Sequence, residues 1–100
     1  MTMFELCGAG LVAVEGETTR VEFRFASEDG VVPTGGTIFG DDEVMDCAFH
    51  FGKLRLCIGD ICAELPVLGR IGASGAVYVS AAALFEALAA NARAQEGSGR

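Results

Sequence analysis

Three side chains have the types and spacing to do chemistry together: Cys57, Cys62 and His50, in a chain with two further cysteines, Cys7 and Cys47, and no second histidine. If the segments around them pair as strands, His50 lies diagonal to Cys57. A base beside a thiol is the arrangement that activates a cysteine nucleophile. The same three residues supply three ligands of the kinds that hold zinc, but Cys-x4-Cys across a tight hairpin lacks the flexible knuckle of structural zinc sites and there is no second pair. A lone histidine on a strand is usually structural. The expectation is therefore no catalytic residue, no metal and no cofactor. Cys57 and Cys62, set directly across from each other, are within bridging range for a disulfide where the protein meets oxidant, and are otherwise two packed thiols.

Two glycine-rich stretches invite a chemical reading and fail it on context. Gly8-Ala9-Gly10-Leu11-Val12-Ala13 has the glycine spacing of a dinucleotide-binding turn, with Asp29 at a fitting distance, yet Leu11 to Val14 reads as strand where a helix should open. Gly72-Ala73-Ser74-Gly75-Ala76 lacks the second spaced glycine of a nucleophile elbow. Neither supports an enzyme.

The carboxylates are the more informative group. Residues 1–64 hold twelve acids against four bases, a net −8, whereas the remainder is +1, giving −7 overall for 100 residues. Asp41, Asp42, Glu43 and Asp46 cluster within six positions, and Glu28-Asp29 forms a second acidic turn. The spaced donors and closing glutamate of a calcium loop are missing. Such a surface repels phosphate backbones and anionic lipid, so direct binding to nucleic acid or membrane is disfavoured and a basic protein surface is favoured. Asp41, Asp42, Glu43, Asp46, Glu28 and Asp29 are the expected partner-binding residues.

The elements that position these residues can be read from periodicity. With 51% hydrophobic residues the chain can fill one core, and residues 1–95 read as a single α+β domain, mostly antiparallel sheet of about five to seven strands. Arg20 to Phe25 alternates strictly, with Val21, Phe23 and Phe25 on one face. Met3–Cys7 and Leu11–Glu15 read as two strand pieces broken or bulged at Gly8-Ala9-Gly10, and a turn near Gly16 pairs the second piece with Val21–Phe25. Residues 44–65 read as a three-stranded meander: Met45, Cys47, Phe49 and Phe51 alternate, Gly52-Lys53 turns, Leu54, Leu56 and Ile58 follow, Gly59-Asp60 turns, and Ile61, Ala63 and Leu65 close it. That register puts Ala48, His50, Arg55, Cys57, Cys62 and Glu64 on the opposite face. Val67 to Ala76 reads as loop and Val77–Val79 as a short strand. Ser80 reads as the N-cap of a single helix over about 80–94, with an apolar stripe of Ala81, Leu84, Phe85, Leu88 and Ala92. Residues 96–100 read as a flexible tail.

Part of the chain resembles a known family. Leu54-Arg55-Leu56, Asp60-Ile61, Glu64-Leu65-Pro66-Val67 and Gly75-Ala76-Val77-Tyr78-Val79-Ser80-Ala81, running into Leu84-Phe85-Glu86-Ala87-Leu88, are similar to a stretch of the bacterial DNA polymerase sliding clamp. The resemblance over 54–88 implies two strands, a loop, a strand and a helix of one clamp lobe. It implies no catalytic residue. The helix offers Glu86 and Arg93 among alanines, where clamp helices present basic residues to the duplex.

The expected function is that of a small, non-enzymatic, acidic inhibitor that docks on a basic, nucleic-acid-binding surface of a partner protein. In general type this resembles phage inhibitors such as anti-CRISPR proteins. The alternative is an assembly module, in which the sheet face around His50 and Arg55 or the outer side of the helix pairs with a second copy into a homodimer. Met1 to Glu5 has no basic segment before an apolar run, and Leu11–Val14 is too short to span a membrane, so the expected setting is cytoplasmic.

Overall fold

The computed structural model describes residues 4–27, 33–72 and 75–98. Its elements run β1 (Phe4–Val14), β2 (Glu17–Ser27), β3 (Gly35–Phe39), α1 (Asp42–Phe51), β4 (Lys53–Ile58), β5 (Ile61–Arg70), β6 (Ala76–Ser80) and α2 (Ala82–Ser98). All strand pairs are antiparallel, and the strands close into a barrel in the order β1-β2-β3-β6-β5-β4. The α+β class with a mostly antiparallel sheet thus holds, and closure removes most of the exposed edge that an open sheet would leave.

Alternation decides which side chains fill the barrel. Val12 and Val14 from β1, Val21, Phe23 and Phe25 from β2, and Leu54 and Leu56 from β4 are buried. So are Leu65, Val77 and Val79 on the strands opposite, and Met45 and Leu84 from the two helices join them in one cluster. The ring of Phe85 on α2 meets Phe4 and Phe25 edge-on, with centroids 5.6 and 6.0 Å away, so α2 covers the barrel where β1 begins and β2 ends. Ala81 and Leu84 are buried and Leu88 partly so, but Ala92, read from the sequence as part of the apolar stripe, is exposed.

The β1–β2 hairpin turns through Glu15 and Gly16, both at positive φ (46° and 86°), the geometry of a tight two-residue turn. It pairs over the full length of both strands, from Val14↔Glu17 to Phe4↔Ser27. Gly8-Ala9-Gly10 therefore neither breaks nor bulges β1, and Leu11–Val14 pairs with Glu17–Arg20 rather than with Val21–Phe25, which meets Leu6–Gly10. With no Cβ at Gly8, the backbone there sits over the Phe23 ring, where an added carbon would lie 3.3 Å from it.

The largest correction concerns residues 44–52. Met45 to Phe51 is helical, not the first strand of a meander, so the described residues hold two helices and only the 53–65 hairpin of the expected three strands. Period-two alternation of Met45, Cys47, Phe49 and Phe51 coexists with a second pattern, Val44, Met45 and Ala48, that fits one helical face, and those three are the buried residues. Local groups favour the helix. Asp41 Oδ1 accepts from the N–H groups of Glu43 (3.0 Å) and Val44 (3.2 Å), and Asp42 and Glu43 place negative charge at the positive end of the dipole. Gly52, rather than opening a hairpin, ends the helix at φ 92°, its N–H donating to the Ala48 carbonyl.

The second expected turn is present. Gly59-Asp60 joins β4 to β5 in the register Ile58↔Ile61, Cys57↔Cys62, Leu56↔Ala63 and Arg55↔Glu64. β5 then continues through a bulge between Val67 and Gly69 to Arg70, so the first four residues of the stretch expected as loop, Val67–Arg70, belong to a strand that pairs with β6. Ser80 ends β6 instead of capping the helix, which starts at Ala82 and runs to Ser98. The expected turn at Glu28-Asp29-Gly30 lies outside the described residues.

Candidate functional site

The clustered carboxylates are sorted by α1 into distinct jobs. Asp41, at the N-cap, accepts through Oδ1 from the helix's own backbone and also lines the cleft beside the helix start. Asp42 and Asp46 lie one helical turn apart on the side facing β5, where Arg70 reaches both. Its Nη2 donates to Asp42 Oδ1 at 2.9 Å, and its Nη1 to Asp46 Oδ1. Asp42 Oδ1 also accepts from the Gly75 N–H at 3.0 Å, tying the helix start to the approach into β6. Arg70 is only 22% exposed at its side chain. Asp42 and Asp46, both expected as contacts for a partner, thus share a single arginine of the same chain, which offsets one of their two charges.

Glu43 points elsewhere. Together with Glu17, Thr18 and Thr19 of β2 and Asp41 and Val44 at the start of α1, it lines a shallow cleft. Among the described residues neither Glu17 nor Glu43 has a basic side chain within ion-pair distance. The cleft brings three carboxylates, Glu17, Asp41 and Glu43, together from segments more than twenty residues apart. Glu17 was missed by sequence reasoning because its place beside α1 depends on where the β1–β2 turn falls relative to the helix. Glu28 and Asp29 lie outside the described residues.

The cysteine–histidine constellation is not assembled. Cys57 and Cys62 are joined in a disulfide, with Cα atoms 4.0 Å apart across the β4–β5 hairpin. His50 stands on α1, its Nδ1 2.9 Å from the Asp46 carbonyl oxygen and 3.6 Å from that residue's Oδ2. Because residues 44–51 are helical, Ala48 and His50 do not share a sheet face with Arg55, Cys57, Cys62 and Glu64. Cys7 is free and exposed, Cys47 free and half-buried. Among the described residues, no helix is long and apolar enough to cross a membrane.

On the β4–β5 hairpin, Lys53 Nζ lies 2.7 Å from Glu64 Oε1. The hydrogen bond from Lys53, reinforced by its charge and more weakly by Arg55, holds the Glu64 carboxyl below its ordinary value.

No protein-family model, curated protein or solved structure matches this chain.

Proposed function

We propose that this chain is a non-enzymatic inhibitor that docks through its acidic face on a basic, nucleic-acid-binding surface of a partner protein, in the general manner of anti-CRISPR proteins. The observation that carries this reading is the cleft of Glu17, Asp41 and Glu43, which holds carboxylates with no neutralising base beside Glu17 or Glu43 among the described residues. The contact set differs from the one expected from sequence. Glu43 and Asp41 stay in it, Glu17 joins it, and Asp42 and Asp46 recede because Arg70 occupies them. Charge of one sign on a rim raises encounter rates with an oppositely charged surface and repels nucleic acid that competes for it. The reading places the encounter in the cytoplasm.

The test is capture from host lysate on immobilised protein. Basic nucleic-acid-binding proteins retained at low ionic strength and released by salt support the proposal, provided that the double variant Glu17→Lys, Glu43→Lys loses them. Retention indifferent both to salt and to the double variant overturns it.

A further inference from the structure

The barrel closes over a short distance. β1 pairs with β4 only through Leu11↔Cys57, Val12↔Leu56 and Ala13↔Arg55. Beyond Leu11, β4 has one residue left, Ile58, before its turn, and β1 runs on for seven residues, Phe4–Gly10, paired with β2 alone. The exposure pattern records this. Inward and outward residues alternate from Leu11 to Val14, whereas Cys7, Gly8 and Ala9 are all exposed.

Hydrogen-bonding parity identifies which groups are left over. A two-residue turn makes Val14 and Glu17 a bonded pair, so the even-numbered residues of β1 direct their N–H and C=O toward β2. The odd-numbered residues direct theirs away. Leu11 and Ala13 meet β4, while Glu5, Cys7 and Ala9 present theirs to an edge with no strand on it among the described residues. Edges in natural proteins are commonly blocked by lysine, proline or an inward-pointing charge. Leu6 to Gly10 carries none of these. Glu5 is the one charge on β1 and is held by Arg24 Nε at 2.9 Å, and on β2 alongside, Arg20 offsets Glu22, so this edge is locally neutral in a chain of net charge −7.

We infer that this edge is a homodimer interface, in which β1 pairs antiparallel with β1 of a second copy about a two-fold axis at Cys7. The occupant follows from self-complementarity. With Cys7 opposite Cys7 of the second copy, Leu6 faces Gly8 and Glu5 faces Ala9, and the contact stops short of Gly10, beside which the Cys57 carbonyl of β4 lies. Each large side chain meets a residue with little or none, and the two Glu5 carboxylates stay apart. The same register satisfies the outward N–H and C=O groups of Glu5, Cys7 and Ala9 on both strands, about six hydrogen bonds. The surface is distinct from the outer face of the β4–β5 hairpin and from the outer side of α2, and it does not depend on the acidic cleft.

Sedimentation equilibrium on the full chain tests the inference. The wild type is expected at twice its 10.4 kDa monomer mass, with dimer favoured by added salt as the repulsion between two negative copies is screened. Ala9→Pro removes an N–H that points off the edge and is unused within the monomer, so its circular dichroism should match wild type while the dimer weakens by at least about tenfold. Cys7→Lys places two ammonium groups at the axis and should give monomers that partly re-associate in high salt. Wild-type protein that stays monomeric at millimolar concentration, or folded Cys7→Lys and Ala9→Pro variants that dimerise as wild type does, would overturn the assignment.

Discussion

Arg70 near the end of β5 and Asp46 in the middle of α1 are in direct ion-pair contact, and the same guanidinium holds Asp42 one turn earlier. The pair is what seats α1 against the barrel on its polar side, as Val44, Met45 and Ala48 do on its apolar side.

Replacing Arg70 with methionine should therefore loosen α1 without emptying the core. The two carboxylates are substantially exposed, so solvent can take over their charge, and the expected loss is about 1–2 kcal/mol, less than for a fully buried pair. Urea unfolding measures it. Lys53→Met, which removes an exposed pair with Glu64, should cost clearly less under the same conditions. Equal effects from the two variants would show that Arg70 has no special part in seating the helix.

Reduction of Cys57–Cys62 should weaken the protein without unfolding it. The disulfide spans a sequence separation of five residues, so the chain entropy it removes from the unfolded state corresponds to only about 2 kcal/mol. Leu54, Leu56 and Leu65 stay buried whatever the redox state, and they hold the hairpin register. Thermal melts with and without reductant check this. A single cooperative transition moved to lower temperature is expected, and complete loss of the transition in reductant would mean that the barrel depends on the bridge.

Glu64 gives a pH dependence whose sign is fixed. Its folded value lies below the ordinary glutamate value that it has in the unfolded chain. Its contribution to stability is therefore complete above that unfolded value and disappears as pH falls through the lower, folded one. Carboxyl chemical shifts followed by NMR should show Glu64 titrating below an ordinary glutamate, and Lys53→Met should bring the midpoint back up. The group is exposed, so the effect on global stability is small.

Legibility in the sequence followed the range of the determining contacts. The β4–β5 register was readable because a two-residue turn at Gly59-Asp60 and strict alternation on both sides leave one way to align Leu56 with Ala63. The β1–β2 turn was readable near Gly16, but the partners were not: Leu11–Val14 meets Glu17–Arg20, and Val21–Phe25 pairs with Leu6–Gly10, because β1 runs unbroken through its glycines. The Arg70 contacts were not, since Asp42 and Arg70 are 28 residues apart and nothing in an acidic cluster says which distant base will enter it. Barrel closure was hidden likewise, because β1 meets β4 through three residue pairs from distant parts of the chain. At α1 the obstacle was different. Two periodicities overlap there, and Asp41, read as one more carboxylate of a docking rim, is the cap that decides between them.

That overlap gives the sharpest test of the fold. A strand over 45–51 would bury Phe49 against Leu56, whereas in the helix Phe49 is 41% exposed and Met45 is fully buried. Truncating Met45 to alanine should leave a cavity in the barrel's contents and cost about 2–5 kcal/mol. Phe49→Ala removes a larger side chain, yet it leaves no enclosed void, improves helix propensity slightly and should change stability by less than about 1 kcal/mol. Guanidinium or urea midpoints of the two variants, compared with wild type at equal m-value, decide the matter. If Phe49→Ala is the more damaging substitution, residues 44–51 pack as a strand and α1 is wrong, together with the sorting of carboxylates that rests on it.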